Sequence, residues 1–462
     1  MMKFKQRVII ISLFILIVFL YLWVKIKPRS NRENPVVQVS NEENLLRALL
    51  LDGAYDFNNL DHKHTGTSIH KRTTEPEAKS DINTEKISAT GVTIAATSNL
   101  KTKALKNVVL HKTAWKLWQE MVKVNEVTQH GEEGTLKVNR IVKALQTAPI
   151  IQTSVGYKGT QLKTSMFLKG NQRTVFKPKR YERDYIIEGV PYSGFDRHNG
   201  EIAAFHLDRI LGFYRAPIVT GRIVNLKTEV MPNIQAELAR TFFKEGNNTC
   251  FYGICYYCKK REAACANGDV MEGSVTIWLP EGWSLRNWRH PWQRTYREDR
   301  KARWEIDQSY CTRTVMRTPP YNRGPRLMFI IDTAIFDFFI GNADRHHYET
   351  LVKGGDDAMV LHLDNGKSFG NPDWDELSIL APLYQCCRIL RSTWERIKSL
   401  SNQNNKKLSE VLKESLSSEP LSPVLSQKHL DAIDRRLKMI VKYVEACIKI
   451  HGESVVVVAD HN

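Results

Sequence analysis

Three carboxylates stand at spacings that suit acid–base or cation chemistry. Asp344 and Glu349 lie five residues apart, just after an apolar run that ends at Gly341, in FFIGNADRHHYET. Asp364 follows twenty residues beyond Asp344, in LDNG. A buried segment ordinarily closes on a cap and a solvated turn. This one closes on Asn342, Asp344, Arg345, His346, His347 and Glu349. Carboxylates delivered there can take a proton from a hydroxyl or, as hard oxygen donors, hold a divalent cation. Adjacent histidines cannot share one helical face, so His346 and His347 read as loop scaffolding. Arg345 reads as a neutraliser of the nearby acids.

A buried helix, an acidic loop, a strand and a second Asp before Gly is the order found in protein-kinase C-lobes. In that order Asn342-Ala343-Asp344 replaces His-Arg-Asp, Glu349 replaces the metal-binding Asn, and Asp364-Asn365-Gly366 replaces Asp-Phe-Gly. An Asp before Gly is mostly just a turn, so the pattern rests on order and spacing together. Phosphate chemistry then needs a cation. Lys177, at the end of the strand pattern VFKPK, fits the role, with Glu201 opening the next helix as its partner and Asp196 as a further metal ligand. The plainer alternative for Lys177 is a solvated strand end. A glycine-rich phosphate loop is missing. GYKGTQLK has only Gly156 and Gly159; by itself it reads as a hairpin, with Gln161 and Lys163 as side-chain candidates.

The elements that must position these groups can be read from periodicity. VLHKTAWKLWQEMVKV places Leu110, Ala114, Leu117, Trp118 and Met121 at helical spacing. QTSVGYKGTQLKTSMFLKGNQRTVFKPKRY alternates like antiparallel strands. NGEIAAFHLDRILGF predicts a helix with Ile202, Ala203, Phe205, His206 and Ile210 on one face. EGSVTIWLPEG and AMVLHLDNG predict short strands, and PRLMFIIDTAIFDFFIG a helix apolar nearly all round, hence buried. HLDAIDRRLKMIVKYVEACIKI closes the fold with Leu430, Ile433, Leu437, Val441, Val444 and Ile448 on one face. Strands first and helices second imply an α+β fold with two lobes and a cleft between them.

The chain of 462 residues is long enough for such a body plus a stem. Its net charge of +17 points to an acidic partner. Residues 8–24, VIIISLFILIVFLYLWV, carry no charge and reach about 25 Å as a helix, near the lower limit of a membrane span. They read as a signal anchor within 1–27, with a cleaved signal peptide as the alternative. Residues 28–105 are polar and poor in aromatics, and read as a flexible lumenal stem. The body divides as 106–281 (N-lobe with a Cys-rich insertion) and 282–455 (C-lobe), leaving 456–462 as a tail.

All eight cysteines lie after residue 249. The spacing of Cys255 and Cys258 admits a zinc knuckle, whereas a lumenal body favours disulfides. Asn247, in NNT, is a glycosylation acceptor beside that cluster. A lumenal body also argues against nucleic acid as the acidic partner. The segment 283–326 is basic and interleaved with Trp283, Trp288, Trp292 and Trp304, which suits an acidic glycan or peptide, or else tryptophans packed inside with solvated arginines.

IGNADRHHYET, HLDNGKSFG, FDRHNGEIAAFHLDRILGF, CFYGICYYC and LSILAPLYQCCRI resemble the secretory-pathway kinase family with sequence similarity 20, over roughly residues 105–455. The resemblance implies an atypical two-lobed kinase fold in the Golgi lumen, anchored as a single-pass type II protein or released by stem cleavage, using ATP with Mn²⁺ (or Mg²⁺). It implies Asp344 as catalytic residue, Asp196 and Asp364 as metal ligands, and Lys177 on the phosphates with Glu201 as its partner. Gln161, Lys163, Glu349 and Asp364 become nucleotide contacts, against the plain hairpin reading, and Thr276, Ile277, Trp278 and Leu279 the hinge at adenine. The implied disulfides are Cys250–Cys265, Cys255–Cys258, Cys311–Cys386 and Cys387–Cys447.

Substrate class turns on smaller features. VGYKGTQLK, VFKPKRY, Asp196, IGNADRHH and KSFGNP resemble the xylosylkinase branch, while HLDNG, HYET and CCRI lean to the protein-kinase branch, the xylosylkinase pattern tending to Ala at Gly366. The expectation is a kinase for the 2-hydroxyl of xylose in the Gal-Xyl linkage region of proteoglycans. The alternatives are a secreted-protein Ser kinase and a pseudokinase that activates a kinase partner; a homo- or hetero-oligomer with family members is a separate expectation for the chain's partners.

Overall fold

The computed structural model describes residues 111, 113–297, 299–402 and 404–460. The apolar stretch 8–24 and the stem 28–105 lie outside the described residues. Among the described residues no helix is long and apolar enough to cross a membrane.

Helix α1 (113–121) and helix α2 (Gly131–Thr147) precede a five-stranded antiparallel sheet. Its strands are β1 (Ile150–Val155), β2 (Thr164–Leu168), β3 (Gln172–Pro178), β4 (Val219–Asn225) and β8 (Val270–Ile277), in the order β1-β2-β3-β8-β4. Ala114, Trp118 and Met121 are buried as the periodicity predicts, and Trp115 joins them. Trp118 Nε1 donates to Trp278 O at 2.8 Å, which pins α1 to the end of β8. β3 lies inside the sheet between β2 and β8, with Lys177 opposite Ser274. Gly273 lets this pairing close: a Cβ there would stand 2.4 Å from the Phe176 ring.

Between β4 and β8 the chain leaves the sheet as a three-stranded insertion, β5 (Phe242–Glu245), β6 (Asn248–Phe251) and β7 (Ala264–Cys265). Glu245 pairs with Asn248, so Gly246 and the exposed Asn247 form a tight hairpin tip. Two disulfides staple the insertion, Cys250–Cys265 and Cys255–Cys258. Both CxxC sulfurs are therefore bonded to each other, which removes the zinc alternative.

Helix α3 (His198–Ile210) packs against β4 and β8. The one-sided face predicted for it is too narrow. Ala204, Leu207 and Asp208 are also buried: Asp208 accepts from Arg215 N at 3.1 Å and lies 2.7 Å from His362 Nδ1, while a later helix, α7 (Leu408–Leu416), packs along the His206 side, where Ser415 Oγ lies 2.7 Å from His206 Nδ1. Beside α7, Glu419 accepts from Gly221 N and Thr220 Oγ1 of β4, both at 2.8 Å.

The helical half is built on α4 (Arg326–Ile340), buried along nearly its whole length as its composition predicts. Around it lie α5 (Ala381–Cys386), α6 (Arg391–Ser401) and the long α8 (Gln427–His451). Cys311–Cys386 and Cys387–Cys447 staple this half, completing the same four pairs that the resemblance implies. α4 ends at Gly341, in the left-handed region at φ 67°. Its last carbonyls are met by Arg436 of α8, whose Nη1 donates to Phe339 O at 2.9 Å.

Three local expectations change. Residues 347–351, read as loop, form β10 (His347–Leu351) against β9 (Leu285–Arg289). Residues 358–366, read as a strand, make only the bridge Thr350–Val360. Their main chain is taken by scattered partners, Leu361 N by Glu349 O and His362 N by Arg215 O, so no ladder can extend. Val457 and Val458, read as tail, pair in parallel with Ile389 and Leu390.

Candidate active site

Lys177 is the centre of the cleft. β3 carries it inward, with only 6% of its surface exposed. Its Nζ donates to Asp196 Oδ2 at 2.7 Å, Glu201 Oε1 at 2.5 Å and Asp364 Oδ1 at 2.7 Å. Burial opposes the ammonium charge, but the three carboxylates together raise its pKa well above the ordinary lysine value. Burial raises Glu201 from its ordinary value, with Lys177 opposing. Lys177 lowers Asp364, whose side chain keeps an open side to solvent, 74% accessible.

Local chemistry explains why these groups meet. Glu201 lies in the first turn of α3, where a carboxylate is favoured by the helix dipole. The start of α3 is tied to the segment after Asp364: Arg197 N donates to Gly366 O at 2.7 Å, and Arg197 Nε to Ser368 O at 2.6 Å. Asp364 has φ 56°, a left-handed conformation that Asp tolerates better than most residues. At Gly366 a Cβ would stand 2.6 Å from Asp196 Cγ, so glycine there permits Asp196 to approach.

Oxygen atoms of Asp196, Glu201 and Asp364 lie within 4.8 Å of one another. Three carboxylates against one ammonium leave an excess of negative charge. Hard oxygen donors around an open side fit Mn²⁺ or Mg²⁺. Among the described residues His346 and His347 join no such cluster. His346 Nδ1 lies 2.8 Å from its neighbour Asp344 O, and His347 is exposed on β10.

Asp344 stands after the α4 cap. Its N–H donates to Asn342 Oδ1 at 3.1 Å, and its Oδ1 accepts from Tyr296 Oη at 2.7 Å. Burial raises its pKa, with Tyr296, Lys367 and His346 opposing. Arg345 braces the loop: Nε and Nη2 hold Asp337 of α4 at 2.7 and 2.6 Å, and Nη2 reaches Asn365 Oδ1 at 2.9 Å. The expected neutraliser thus ties the Asp344 loop to the Asp364 segment. Glu349 sits on β10, accepting from Asn287 Nδ2 at 2.8 Å, and burial raises it. Sequence reading missed Tyr296 and Asp337. Tyr296 lay within the aromatic, basic segment, but only tryptophans were singled out there; Asp337 is an acid inside an apolar helix, a signal that was available.

Gln161 and Lys163 lie in the β1–β2 connection. Lys163 folds back over Gly156 and Gly159, where a Cβ would meet its Cγ at 2.6 Å and its Nζ at 2.4 Å. Its charge contributes to the lowering of Asp364. The Cys-rich insertion supports this loop: Tyr257 N donates to Thr160 O at 3.2 Å, and Gly253 packs under Leu162. Thr276, Ile277, Trp278 and Leu279 close β8. The Trp278 N–H and C=O are already used by Arg173 O and Trp118 Nε1, so this residue's main chain is committed within the fold. In the basic segment, Trp292 and Trp304 are core residues, while Arg286 lies exposed over Trp288 at 4.0 Å.

Comparison with known proteins adds four findings. The family model described as "Golgi casein kinase, C-terminal, Fam20" matches residues 113–456. A Homo sapiens protein named glycosaminoglycan xylosylkinase is 54% identical over 349 residues, covering 76% of this chain and 84% of that one. The solved structure of hydra Fam20 with sugar is 50% identical, with a TM-score of 0.73 over 76% of this chain and 99% of that one. The Golgi casein kinase with Mn/ADP bound is 35% identical, with a TM-score of 0.71 over 75% of this chain and 83% of that one.

Proposed function

This chain belongs to the Fam20 family, and on that premise we propose how its cleft works as a glycosaminoglycan xylosylkinase. It is a phosphotransferase with an alcohol group as acceptor, using ATP and Mn²⁺. The acceptor is the 2-hydroxyl of xylose in the Gal-Xyl linkage region of a proteoglycan. The observation that carries the sugar reading is the gap in identity between two solved relatives, 50% to the sugar-bound hydra protein against 35% to the Golgi casein kinase.

Asp344 orients the acceptor hydroxyl and takes its proton, a role worth typically ~10²–10⁴-fold. Asp196 and Asp364 would hold the cation, which when bound neutralises phosphate charge. Lys177, fixed by Glu201, faces the phosphates, with Gln161, Lys163 and Glu349 as further nucleotide contacts. Thr276 to Leu279 meet adenine, with Trp278 contributing its ring side rather than its committed main chain. Positioning and charge neutralisation carry the rate. The pseudokinase alternative is disfavoured, because Lys177, Asp196, Glu201, Asp344 and Asp364 are all in place in one cleft.

The apolar stretch 8–24 supports a type II anchor in the Golgi membrane, with the body lumenal; the exposed Asn247 and four disulfides fit that compartment. The test offers the lumenal body, ATP and Mn²⁺ to a galactosyl-xylose glycan and, separately, to an acidic Ser peptide. Phosphate on the glycan is expected; phosphate on the peptide alone would overturn the sugar reading.

A further inference from the structure

Tyr296 reaches Asp344 from 48 residues away in the chain, and its hydroxyl donates to Oδ1 at 2.7 Å. Its backbone has φ 56°. That conformation is a genuine outlier for a bulky residue, and it persists only where the surroundings over-determine it. The surroundings here are two rings. Tyr192 meets Tyr296 edge-on, with centroids 4.7 Å apart, and His346 meets it at 5.7 Å and nearly perpendicular. Tyr192 belongs to the segment between β3 and α3. That segment is itself tied to the residues after Asp364: Ile187 N donates to Gly370 O at 2.8 Å, and Lys367 Nζ donates to Gly194 O.

Asp344 therefore has one oxygen engaged. Among the described residues no hydrogen bond reaches its Oδ2, and 27% of the side chain is accessible. We propose that Tyr296 is a positioning residue for the acceptor: it holds Oδ1 of Asp344, fixing the carboxylate plane so that Oδ2 receives the acceptor hydroxyl. The proposal rests on the reading of Asp344 as the group that takes the hydroxyl proton. It also gives Tyr192 a role, since the first-half segment packs the tyrosine into place.

A donor to a carboxylate favours its charged form. The groups facing Asp344 are Tyr296, Lys367, His346 and Arg197, which favour that charge, and Asp364, which opposes it; Tyr192 meets the Tyr296 ring. Replacing Tyr296 by Phe keeps both ring contacts and deletes the donor. A hydrogen bond to a charged group is worth enough for roughly a tenfold change.

The test compares Tyr296→Phe with wild type and with Asp344→Asn. For Tyr296→Phe, kcat is expected to fall roughly tenfold, the acid limb of the pH–rate profile to move to higher pH, and Mn²⁺–ADP affinity to stay unchanged. An unmoved acid limb with kcat within about twofold of wild type, beside a silent Asp344→Asn, overturns the role of Tyr296 alone. A parallel loss of Mn²⁺–ADP affinity also overturns it, by showing a merely structural residue. Near-normal turnover by Asp344→Asn would instead sink the underlying reading of Asp344.

Discussion

Lys177 and Asp364, separated by 187 residues in the chain, stand 2.7 Å apart in the cleft. The contact joins the middle of the sheet to the segment that follows the Asp344 loop. It is one of three carboxylate contacts on the same ammonium, so the site is neutralised by a lysine on one side and left acidic on the other.

Removing that ammonium should expose the imbalance. Lys177→Met leaves Asp196 and Glu201 buried without the ammonium that both accept from, a loss on the order of 3 kcal/mol. The thermal midpoint of the cation-free protein should fall, and added Mn²⁺ should raise the variant's midpoint more than that of wild type. An equal rise in both would show that the carboxylates do not form the cation site.

Gly366 offers a finer probe. In Gly366→Ala the new methyl would meet Asp196 at 2.6–2.8 Å, so the carboxylate must shift. Mn²⁺ affinity, read from the free-ion signal in electron paramagnetic resonance, should weaken roughly tenfold, and the thermal midpoint should fall with it, because the displaced carboxylate is buried and accepts from Lys177. Unchanged affinity would show that Asp196 is free to adjust.

Buried histidines set the acid limit of stability. Burial lowers His290 to about 3 and His429 to about 4. Both are neutral in the fold but take protons when unfolded, so their stabilisation is present above about pH 6.5 and is lost as pH falls toward those values. Between about pH 6.5 and 5 each costs about 2 kcal/mol. His290→Asn keeps an acceptor for the Trp292 N–H and should flatten the fall of denaturation midpoint with pH. An unchanged slope would assign the acid sensitivity elsewhere.

Cys387–Cys447 joins the end of α5 to α8 across 60 residues. Loop-closure entropy for that length is worth about 4 kcal/mol. Cys387→Ser with Cys447→Ser should lower the urea midpoint accordingly, and a reductant should then shift the variant less than wild type. A variant as stable as wild type would contradict the staple.

The acidic positions were legible in the sequence because a short motif order fixes them. Asp344, Glu349 and Asp364 lie within one stretch, and α4 announces its burial by being apolar nearly all round. Tyr296 was not legible, because its contact with Asp344 depends on how the 290–297 segment folds back and on a left-handed backbone that nothing local signals. The burial of α3 on both sides was hidden for a similar reason. The groups that cover it, His362 beside Asp208 and α7 beside His206, come from far along the chain, so its own periodicity does not show them. Glu349 was misplaced on a loop because its strand partner, Asn287, lies in a segment whose charge disguises a strand.

The most direct test of the account is where the phosphate goes. The protein, ATP and Mn²⁺ would be incubated with a galactosyl-xylose linkage glycan, and the product read by two-dimensional ¹H–³¹P correlation. The account predicts one new phosphate coupled to H2 of xylose, absent with Asp344→Asn. Phosphate on galactose or at another xylose hydroxyl, or none on the glycan, would contradict it.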